Sequence, residues 1–292
     1  MPTSNISNKN ISVIIPAKNE ALSIGALLKK LQQTMQNVEI IVINDGSTDE
    51  TARIVKESGA ILISHPYSMG NGAAIKTGAR VSNGDIIITM DSDGQHDPEV
   101  IPKLLKKMDE GFEMVVGARS YKSQAGKRRW LGNALYNHIA SIIVGKKIKD
   151  LTSGFRAVNA KKFKSFLHLL PNGFSYPTTI TMAFFRSGYP VGYIPIETNK
   201  RVGKSHLRLF KDGLRFLIII FKIGTLYSPL KIFTPISTLF FLIGLAYYGY
   251  TYFSIGRFTN MSALLLIVSI IIFMIGLVSE QITVLLYKSS RD

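Results

Sequence analysis

Short apolar runs alternate with segments of helical period between residues 11 and 118. Runs rich in β-branched residues predict strands at 11–16, 38–44, 60–64, 85–90 and 113–118. Apolar residues spaced three and four apart predict helices at 20–35, 48–58, 71–82 and 99–109. Strands that alternate with helices of this length are typical of βαβ units, so the pattern predicts an α/β domain around a largely parallel sheet.

Two long apolar runs follow near the end of the chain, at 232–256 and 261–287. The first has no charged residue, and the second has only Glu280. About 20 apolar residues cross a membrane core of about 30 Å, so the runs predict transmembrane helices at about 232–255 and 261–286. Two buried helices of a soluble protein are the alternative, but adjacent runs of this length are uncommon in soluble cores.

The basic residues around these runs predict the orientation of a helical hairpin. The flanks hold Lys222, Lys231, Lys288 and Arg291, whereas the short connection holds only Arg257. Because cytoplasmic flanks are enriched in Lys and Arg, the N-terminal domain and the C-terminus are expected in the cytoplasm. The polar N-terminus, MPTSNISNKN, lacks the apolar core of a signal peptide, which agrees with this orientation.

The charge distribution narrows the choice of partners. Residues 1–149 hold 19 Lys/Arg and 14 Asp/Glu, and residues 150–292 hold 16 and 5, which gives net charges of +5 and +11. A basic half beside apolar runs favours a membrane surface over nucleic acid, and 206–230 is predicted to form basic amphipathic interfacial helices. The predicted domains are therefore 1–205, 206–230 and 231–292. The absence of cysteine excludes disulfides and cysteine-based zinc sites.

Polar clusters follow three of the predicted strands, at 16–20, 44–49 and 91–95. Ligands of such sheets bind beyond the carboxyl ends of the strands, so the three clusters together predict a nucleotide pocket. Two phosphate motifs are incomplete: 70-GNGAAIKTG-78 lacks the third glycine of a dinucleotide fingerprint, and 198-TNKRVGKS-205 lacks the first glycine of a P-loop. A dehydrogenase and a P-loop NTPase are thereby disfavoured.

The third cluster, within 84-GDIIITMDSDGQHDPE-99, concentrates carboxylates in a chain of formal net charge +16. Asp91 and Asp93 lie two apart at the end of a strand, so they are expected to point into one cleft with Gln95 nearby. Two unpartnered carboxylates repel each other, and a divalent cation that prefers oxygen ligands removes this repulsion. The sequence therefore predicts a Mg²⁺ or Mn²⁺ site, although D-x-D by itself is more typical of a solvated turn.

The order of the motifs resembles that of glycosyltransferase family 2. The motifs are 15-IPAKNE-20, 44-NDGSTD-49, 70-GNGAAIKTG-78, 89-TMDSDGQHDPE-99, 117-GARS-120 and 150-DLTSGFRA-157. Over residues 11–205 they are most similar to the dolichyl- or polyprenyl-phosphate sugar synthases, the subgroup of dolichol-phosphate mannose synthase. The resemblance implies a GT-A (Rossmann-like) fold and inverting transfer from a nucleotide sugar.

The resemblance also implies roles for individual residues. The nucleotide sugar would be held by Pro16, Ala17, Asn19, Glu20, Asp45, Asp91, Ser92 and Asp93. Asp91, Asp93 and Gln95 would hold the metal ion that bridges the donor diphosphate. Asn44 stands where the family's D-D-G-S motif has an aspartate, which leaves Asp45 as the carboxylate expected at the base.

Residues after the donor site are implied to receive a lipid phosphate. They are Arg119, Arg128, Arg129, Ser153, Arg201 and Ser205. Arginine forks match phosphate oxygens better than lysine does, and Arg119 and Arg201 are counted as catalytic together with Asp91 and Asp93. A merely basic surface near anionic headgroups is the alternative, and the sequence does not choose between Arg128 and Arg129.

These inferences predict a membrane-anchored enzyme that transfers one hexose from UDP-glucose or GDP-mannose to polyprenyl phosphate at the cytoplasmic face. A phosphate monoester has a second pKa of about 6 and is already ionised, so it needs no general base. No base candidate is apparent between residues 150 and 205. Transfer to a lipid or glycan hydroxyl and a catalytically silent membrane scaffold are the alternatives, and homo-oligomerisation is left open.

Overall fold

The computed structural model describes residues 9–119, 127–173, 175–198, 221, 224, 225 and 227–288, without the side chains of 127–132 and 288. Two compact units are present. The first comprises Met1–Ser141 with Lys146–Leu209, and the second comprises Ile142–Gly145 with Phe210–Asp292. The predicted interfacial helices at 206–230 fall mostly outside the described residues.

The first unit is built on one seven-stranded sheet. Its strands are β1 (Ile11–Ala17), β2 (Glu39–Asn44), β3 (Ile61–Ser64), β4 (Ile86–Thr89), β5 (Met114–Arg119), β6 (Arg156–Asn159) and β7 (Val191–Ile196). They lie in the order β3-β2-β1-β4-β6-β5-β7. The five predicted strands are confirmed, each end within about one residue, whereas the sequence pattern does not predict β6 and β7.

Strand β6 runs against the direction of the other strands. β1 pairs in parallel with β2 and β4, β2 with β3, and β5 with β7, whereas β6 is antiparallel to both β4 and β5. Thr89 at the carboxyl end of β4 pairs with Arg156 at the start of β6. The prediction of a largely parallel sheet is correct for all strands but β6, and the residues just before β6 lie at the carboxyl edge of β4.

Helices connect the strands of the first unit. They are α1 (Ile24–Thr34), α2 (Thr51–Glu57), α3 (Asn71–Val81), α4 (Ile101–Asp109), α5 (Lys127–Val144), α6 (Ala160–Ser165) and α7 (Tyr176–Arg186). The four predicted helices correspond to α1–α4. Helix α1 begins at Ile24 rather than at residue 20, because residues 20–23 form a turn in which the Ser23 N–H donates to the Glu20 carbonyl oxygen at 3.1 Å.

The central strands form an apolar core. Val13 and Ile15 of β1, Val42 of β2 and Ile88 of β4 have no exposed surface, and they pack in one cluster with Leu28 of α1. Burying an aliphatic side chain of this size contributes about 1.5–3 kcal/mol to stability. The buried core therefore stabilises the sheet that carries the polar loops at its carboxyl edge.

The glycine-rich start of α3 is a packing feature. A Cβ at Gly72 would lie 2.1 Å from the Pro171 carbonyl oxygen, and a Cβ at Gly70 would lie 2.5 Å from the Asn172 carbonyl oxygen. The Ala73 N–H donates to the same Asn172 oxygen at 3.1 Å. The two glycines therefore let residues 171–173 pack against the start of α3. This close packing accounts for the glycines of 70-GNGAAIKTG-78, which matches no phosphate-binding fingerprint.

The second unit contains two long apolar helices, α8 (Pro229–Ile255) and α9 (Asn260–Lys288). Gly256 ends α8 with a φ of 68°. Gly244 and Gly276 allow close packing, since a Cβ there would lie 3.0 Å from Leu265 and 2.7 Å from Phe233, respectively. Stretches of 18 residues within the helices have mean hydropathies of 1.6 and 2.9, and both helices are long and apolar enough to cross a membrane. The predicted pair of apolar helices is confirmed.

Candidate active site

Hydrogen bonds join the loops that follow β1 and β2. Asn19 has a left-handed backbone with a φ of 54°, which Asn tolerates better than most residues. Its N–H donates to Ser47 Oγ at 3.0 Å, and its side-chain oxygen accepts from the Thr48 N–H at 2.8 Å. The Glu20 N–H donates to Thr51 Oγ1 at 2.9 Å. Two of the three predicted polar clusters are therefore in contact.

Pro16 and Ala17 form the buried end of β1. They pair with Ile43 and Asn44 of β2, and the Ala17 carbonyl oxygen accepts from the Asp45 N–H at 2.8 Å. These bonds hold the first cluster in register with the second. The predicted contact of Pro16 and Ala17 with the nucleotide sugar stays a prediction.

The buried carboxylate of Asp45 is satisfied within the protein. It accepts from Ser68 Oγ at 2.8 Å and from the N–H groups of Met69 and Gly70 at 2.7 and 3.0 Å. His65 Nδ1 lies 2.8 Å from Asp45 Oδ1. Burial alone would raise the pKa of Asp45, but these hydrogen bonds outweigh it and lower the pKa. Asp45 thus fixes the loop after β3, and its predicted contact with the donor base stays a prediction.

The acidic cluster follows β4 as a loop rather than as an extension of the strand. The strand ends before Asp91, so strand alternation does not set the directions of Asp91 and Asp93. The Asp91 side chain is 36% exposed, whereas Asp93 is 8% exposed and accepts from the Gln95 N–H at 3.1 Å. The Ser92 carbonyl oxygen accepts from Ser23 Oγ at 2.8 Å. Bonds within the loop and to the turn before α1 therefore set its shape.

A glycine, Gly154, faces the Asp91 carboxylate, so no side chain covers the carboxylate from that position. A Cβ at Gly154 would lie 3.1 Å from both carboxylate oxygens of Asp91. Such oxygen donors suit Mg²⁺ or Mn²⁺, which bind one or two carboxylates and complete their coordination with substrate phosphates and water. In the part of the chain that the structure describes, no group of three acidic, histidine or cysteine side chains could hold an ion by itself. The residues fit an ion shared with a diphosphate, with Asp91, Asp93 and Gln95 as the predicted ligands.

His96 packs behind the acidic loop. It is 5% exposed, and its ring stacks on that of Phe155 with centroids 5.0 Å apart. Burial lowers the pKa of His96, although the carboxylates of Asp91 and Asp93 act in the opposite direction. His96 is therefore neutral near pH 7 and supports the loop by packing.

Arg119 and Asp150 form a bidentate ion pair. Arg119 Nε and Nη2 donate to the two Asp150 oxygens at 2.8 and 3.0 Å, and the Arg119 and Ser153 N–H groups donate to the same carboxylate at 3.1 Å each. Burial would raise the pKa of Asp150, but the bonds from Arg119 outweigh it and lower the pKa. Arg119 Nη2 also donates to Thr152 Oγ1 at 2.5 Å, so Asp150 and Thr152 together engage Nε and Nη2. The predicted phosphate contact of Arg119 stays a prediction.

The antiparallel direction of β6 brings residues 150–155 to this edge. Two features of the segment were not predicted from the sequence: Asp150 is the partner of Arg119, and Gly154 faces the Asp91 carboxylate. Both lie in the 150-DLTSGFRA-157 motif, which was the available signal. Ser153 is 1% exposed, and its hydroxyl has no hydrogen-bond partner among the described residues. The other predicted phosphate ligands have side chains outside the described part of the structure: Arg128, Arg129, Arg201 and Ser205.

The sequence matches the model of glycosyl transferase family 2 over residues 12–167, more than half of the chain. The chain belongs to glycosyl transferase family 2. A second model, the GtrB C-terminal hairpin, matches residues 228–285 and covers α8 and most of α9. The family predicted from the order of the motifs is confirmed, and the protein is a glycosyltransferase.

Relatives extend this assignment. An uncharacterized protein of Methanocaldococcus jannaschii is 31% identical over 202 residues, which cover 66% of this chain and 83% of that protein. The undecaprenyl-phosphate 4-deoxy-4-formamido-L-arabinose transferase of Edwardsiella ictaluri is 32% identical over 170 residues, 54% of this chain and 51% of the transferase. The chain thus spans about half the length of that transferase. Together with the hairpin match, the similarity to the named transferase confirms the predicted subgroup of polyprenyl-phosphate sugar synthases.

Solved structures share the fold over three quarters of this chain. Glucosyl-3-phosphoglycerate synthase from Mycobacterium tuberculosis, in complex with Mn²⁺, UDP-glucose and phosphoglyceric acid, has a TM-score of 0.62 at 20% identity. The likeness covers 75% of this chain and 81% of that chain. The same enzyme in complex with Mg²⁺ and UDP has a TM-score of 0.62 at 22% identity, over 75% and 80% of the two chains. The predicted GT-A fold is confirmed.

Gly154→Ala is expected to lower the transferase kcat at least about tenfold, because displacing a reacting group by a fraction of an ångström is costly. The added methyl would lie 3.1 Å from both Asp91 oxygens, so the carboxylate must move. Steady-state kinetics and Mn²⁺ titration would measure the effect. Gly173→Ala is the matched control, since a Cβ there meets nothing within 4 Å. A Gly154→Ala enzyme with wild-type rate and Mn²⁺ affinity would exclude a metal site beside Asp91.

Proposed function

We propose that this glycosyltransferase moves a single hexose from a nucleotide sugar, UDP-glucose or GDP-mannose, to polyprenyl phosphate with inversion at the anomeric carbon. One observation carries the proposal: an acidic loop whose Asp91 carboxylate faces a glycine lies at the carboxyl edge of a family 2 domain, in a chain with a GtrB hairpin. The named undecaprenyl-phosphate transferases support the lipid phosphate as acceptor. The complexes of glucosyl-3-phosphoglycerate synthase support a nucleotide sugar with Mn²⁺ or Mg²⁺.

The donor would lie across the three polar clusters. Asn19, Glu20 and Asp45 shape the two joined loops that would receive the nucleoside. The oxygens of Asp91, Asp93 and Gln95 would hold Mg²⁺ or Mn²⁺ beside the diphosphate. When bound, the ion supplies Lewis-acid stabilisation of the charge on the departing nucleoside diphosphate.

The acceptor side lacks an obvious general base. In the described part of residues 150–198, the acidic side chains are Asp150 and Glu197, and Asp150 is committed to Arg119. A hydroxyl acceptor requires a base to become a nucleophile, whereas a phosphate monoester is already ionised near neutral pH. This pattern favours a phosphate acceptor. Arg119, with Arg128, Arg129, Ser153, Arg201 and Ser205, would bind that phosphate.

A donor screen on the full-length protein in detergent tests the proposed function. Each candidate nucleotide sugar is mixed with polyprenyl phosphate and Mn²⁺ or Mg²⁺, and lipid-linked sugar is followed by chromatography. We expect one donor to give product, EDTA to abolish it, and an α-linked donor to yield a β-linked sugar phosphate by NMR. Product on a lipid or glycan hydroxyl alone would support the first alternative. No turnover of any donor would support a silent scaffold.

The proposed orientation places the catalytic domain on the cytoplasmic face and the connection between α8 and α9 on the opposite face. The chain has no cysteine, so Arg257→Cys introduces a single thiol into that connection. We expect a membrane-impermeant maleimide to label this thiol in intact cells, because basic residues cluster on the other side of the hairpin. Lys9→Cys is the control and should react only after permeabilisation. The opposite labelling pattern would reverse the orientation.

A further inference from the structure

A fully buried arginine lies next to the proposed site, and the proposed reaction does not use it. Arg156, the first residue of β6, has no exposed surface. Its Nη1 donates to the Pro177 carbonyl oxygen and to Thr181 Oγ1, each at 3.0 Å. Its Nη2 donates to the Ser153 carbonyl oxygen. Its Nε has no hydrogen-bond partner among the described residues.

The hydrogen-bond acceptors around Arg156 are neutral, so its charge must be balanced at longer range. A guanidinium stays protonated in proteins, and a buried charge without an opposite charge is strongly destabilising. Burial lowers the pKa of Arg156, while the nearby Tyr176, Tyr193, Asp150 and Asp91 act in the opposite direction. Of these neighbours, Asp91 and Asp150 are the acidic residues. They are the carboxylates of the metal loop and of the Arg119 pair.

The guanidinium also joins two segments of the site. The Ser153 carbonyl belongs to the turn that contains Asp150 and Gly154, and the Pro177 carbonyl lies in the first turn of α7. A planar fork presents a separate nitrogen to each oxygen, whereas a lysine ammonium has all three of its donors on one nitrogen. The position of Gly154 relative to Asp91 therefore depends on this fork.

We propose that Arg156 is a positioning residue of the active site that fixes the 150–154 turn and acts as the internal counter-charge of Asp91 and Asp150. As a contribution to catalysis, this role rests on the proposed function. The charge coupling and the hydrogen bonds of the guanidinium fork are properties of the folded protein and do not depend on that function. Before a cation is bound, the buried charge of Arg156 offsets the repulsion among the carboxylates.

A double-mutant cycle on the full-length protein in detergent tests the charge coupling. Arg156→Gln removes the charge but keeps an amide that can donate to the same carbonyls, and thermal melting is followed by circular dichroism in EDTA. We expect Asp91→Asn to lower the melting temperature in the wild-type background and to leave it unchanged or raise it in Arg156→Gln, a difference of at least about 3 °C. Asp97→Asn, in the same loop but paired with Lys30, is the control and should shift both backgrounds equally. An equal Asp91→Asn shift in both backgrounds would overturn the coupling.

Arg156→Lys tests the fork and remains informative if Arg156→Gln does not fold. It keeps a positive charge but lacks the two separate nitrogens that reach the Ser153 and Pro177 carbonyls, so amide hydrogen exchange in residues 150–155 should accelerate at least about tenfold. In active enzyme, kcat should fall while the KM for the donor changes little. Arg53→Lys, which alters an exposed arginine paired with Glu57, is the control and should change neither the hydrogen exchange of residues 150–155 nor kcat. Unchanged exchange in Arg156→Lys would overturn the positioning role. Wild-type protein without turnover would refute only the proposed function, since melting and exchange need no substrate.

Discussion

Asp93→Asn is expected to reduce kcat by about a thousandfold, because an ion at a departing diphosphate supplies several kcal/mol of charge stabilisation. Asp93 is 8% exposed, and its Oδ1 accepts from the Gln95 N–H at 3.1 Å. Asparagine can keep this hydrogen bond, so the loop should retain its shape while one charged ligand is lost. Steady-state kinetics with saturating Mn²⁺, together with a Mn²⁺ titration, would separate a loss of ion binding from a loss of the chemical step.

Asp97→Asn is the matched control for this experiment. Asp97 lies four residues after Asp93 and pairs with Lys30 at 2.9 Å on the surface, so its replacement should leave kcat and Mn²⁺ affinity unchanged. An Asp93→Asn enzyme with the activity of the control would remove Asp93 from the metal site. Activity that survives EDTA in the wild type would remove the metal itself from the proposed reaction.

Asp150→Ala is expected to destabilise the catalytic domain by about 3 kcal/mol, because removal of one partner leaves a largely buried guanidinium without its counter-charge. The side chain of Asp150 is 3% exposed and that of Arg119 is 26% exposed. The carboxylate also accepts from the Arg119 and Ser153 N–H groups, so the turn before β6 loses its anchor. Denaturant or thermal unfolding of the full-length protein, followed by circular dichroism, measures the effect.

The destabilisation caused by Asp150→Ala should decrease as the pH falls. The folded-state pKa of Asp150 is lowered, so its contribution is fully present above its unfolded pKa of about 4 and disappears as pH falls through the folded value. The difference in free energy of unfolding between wild type and Asp150→Ala should therefore become smaller at acidic pH. Glu57→Ala, which breaks an exposed pair with Arg53, is the control and should leave the free energy of unfolding almost unchanged. An Asp150→Ala loss no larger than this would contradict a structural role for the Arg119–Asp150 pair.

Local patterns in the sequence were sufficient for most elements of the fold. The strands β1–β5 and helices α1–α4 follow from the periods of their apolar residues, because a buried face repeats every second residue on a strand and every third or fourth on a helix. The apolar helices α8 and α9 follow from length and hydropathy alone. The order of the short motifs was sufficient to predict the family, because their combination is specific although each motif by itself is common.

The assembly of the candidate site was decided by tertiary structure. Apolar periodicity does not encode which strands pair or in which direction, so nothing in the sequence pattern places β6 antiparallel between β4 and β5. That one pairing brings Gly154 against Asp91 and places Asp150 beside Arg119, 31 residues away in sequence. It also buries Arg156 between two segments of the site. By itself the sequence determined which elements form and which residue types end the strands, because those properties depend on near neighbours. The tertiary structure alone decided which of those residues meet, because contacts between distant segments depend on the packing of the whole sheet.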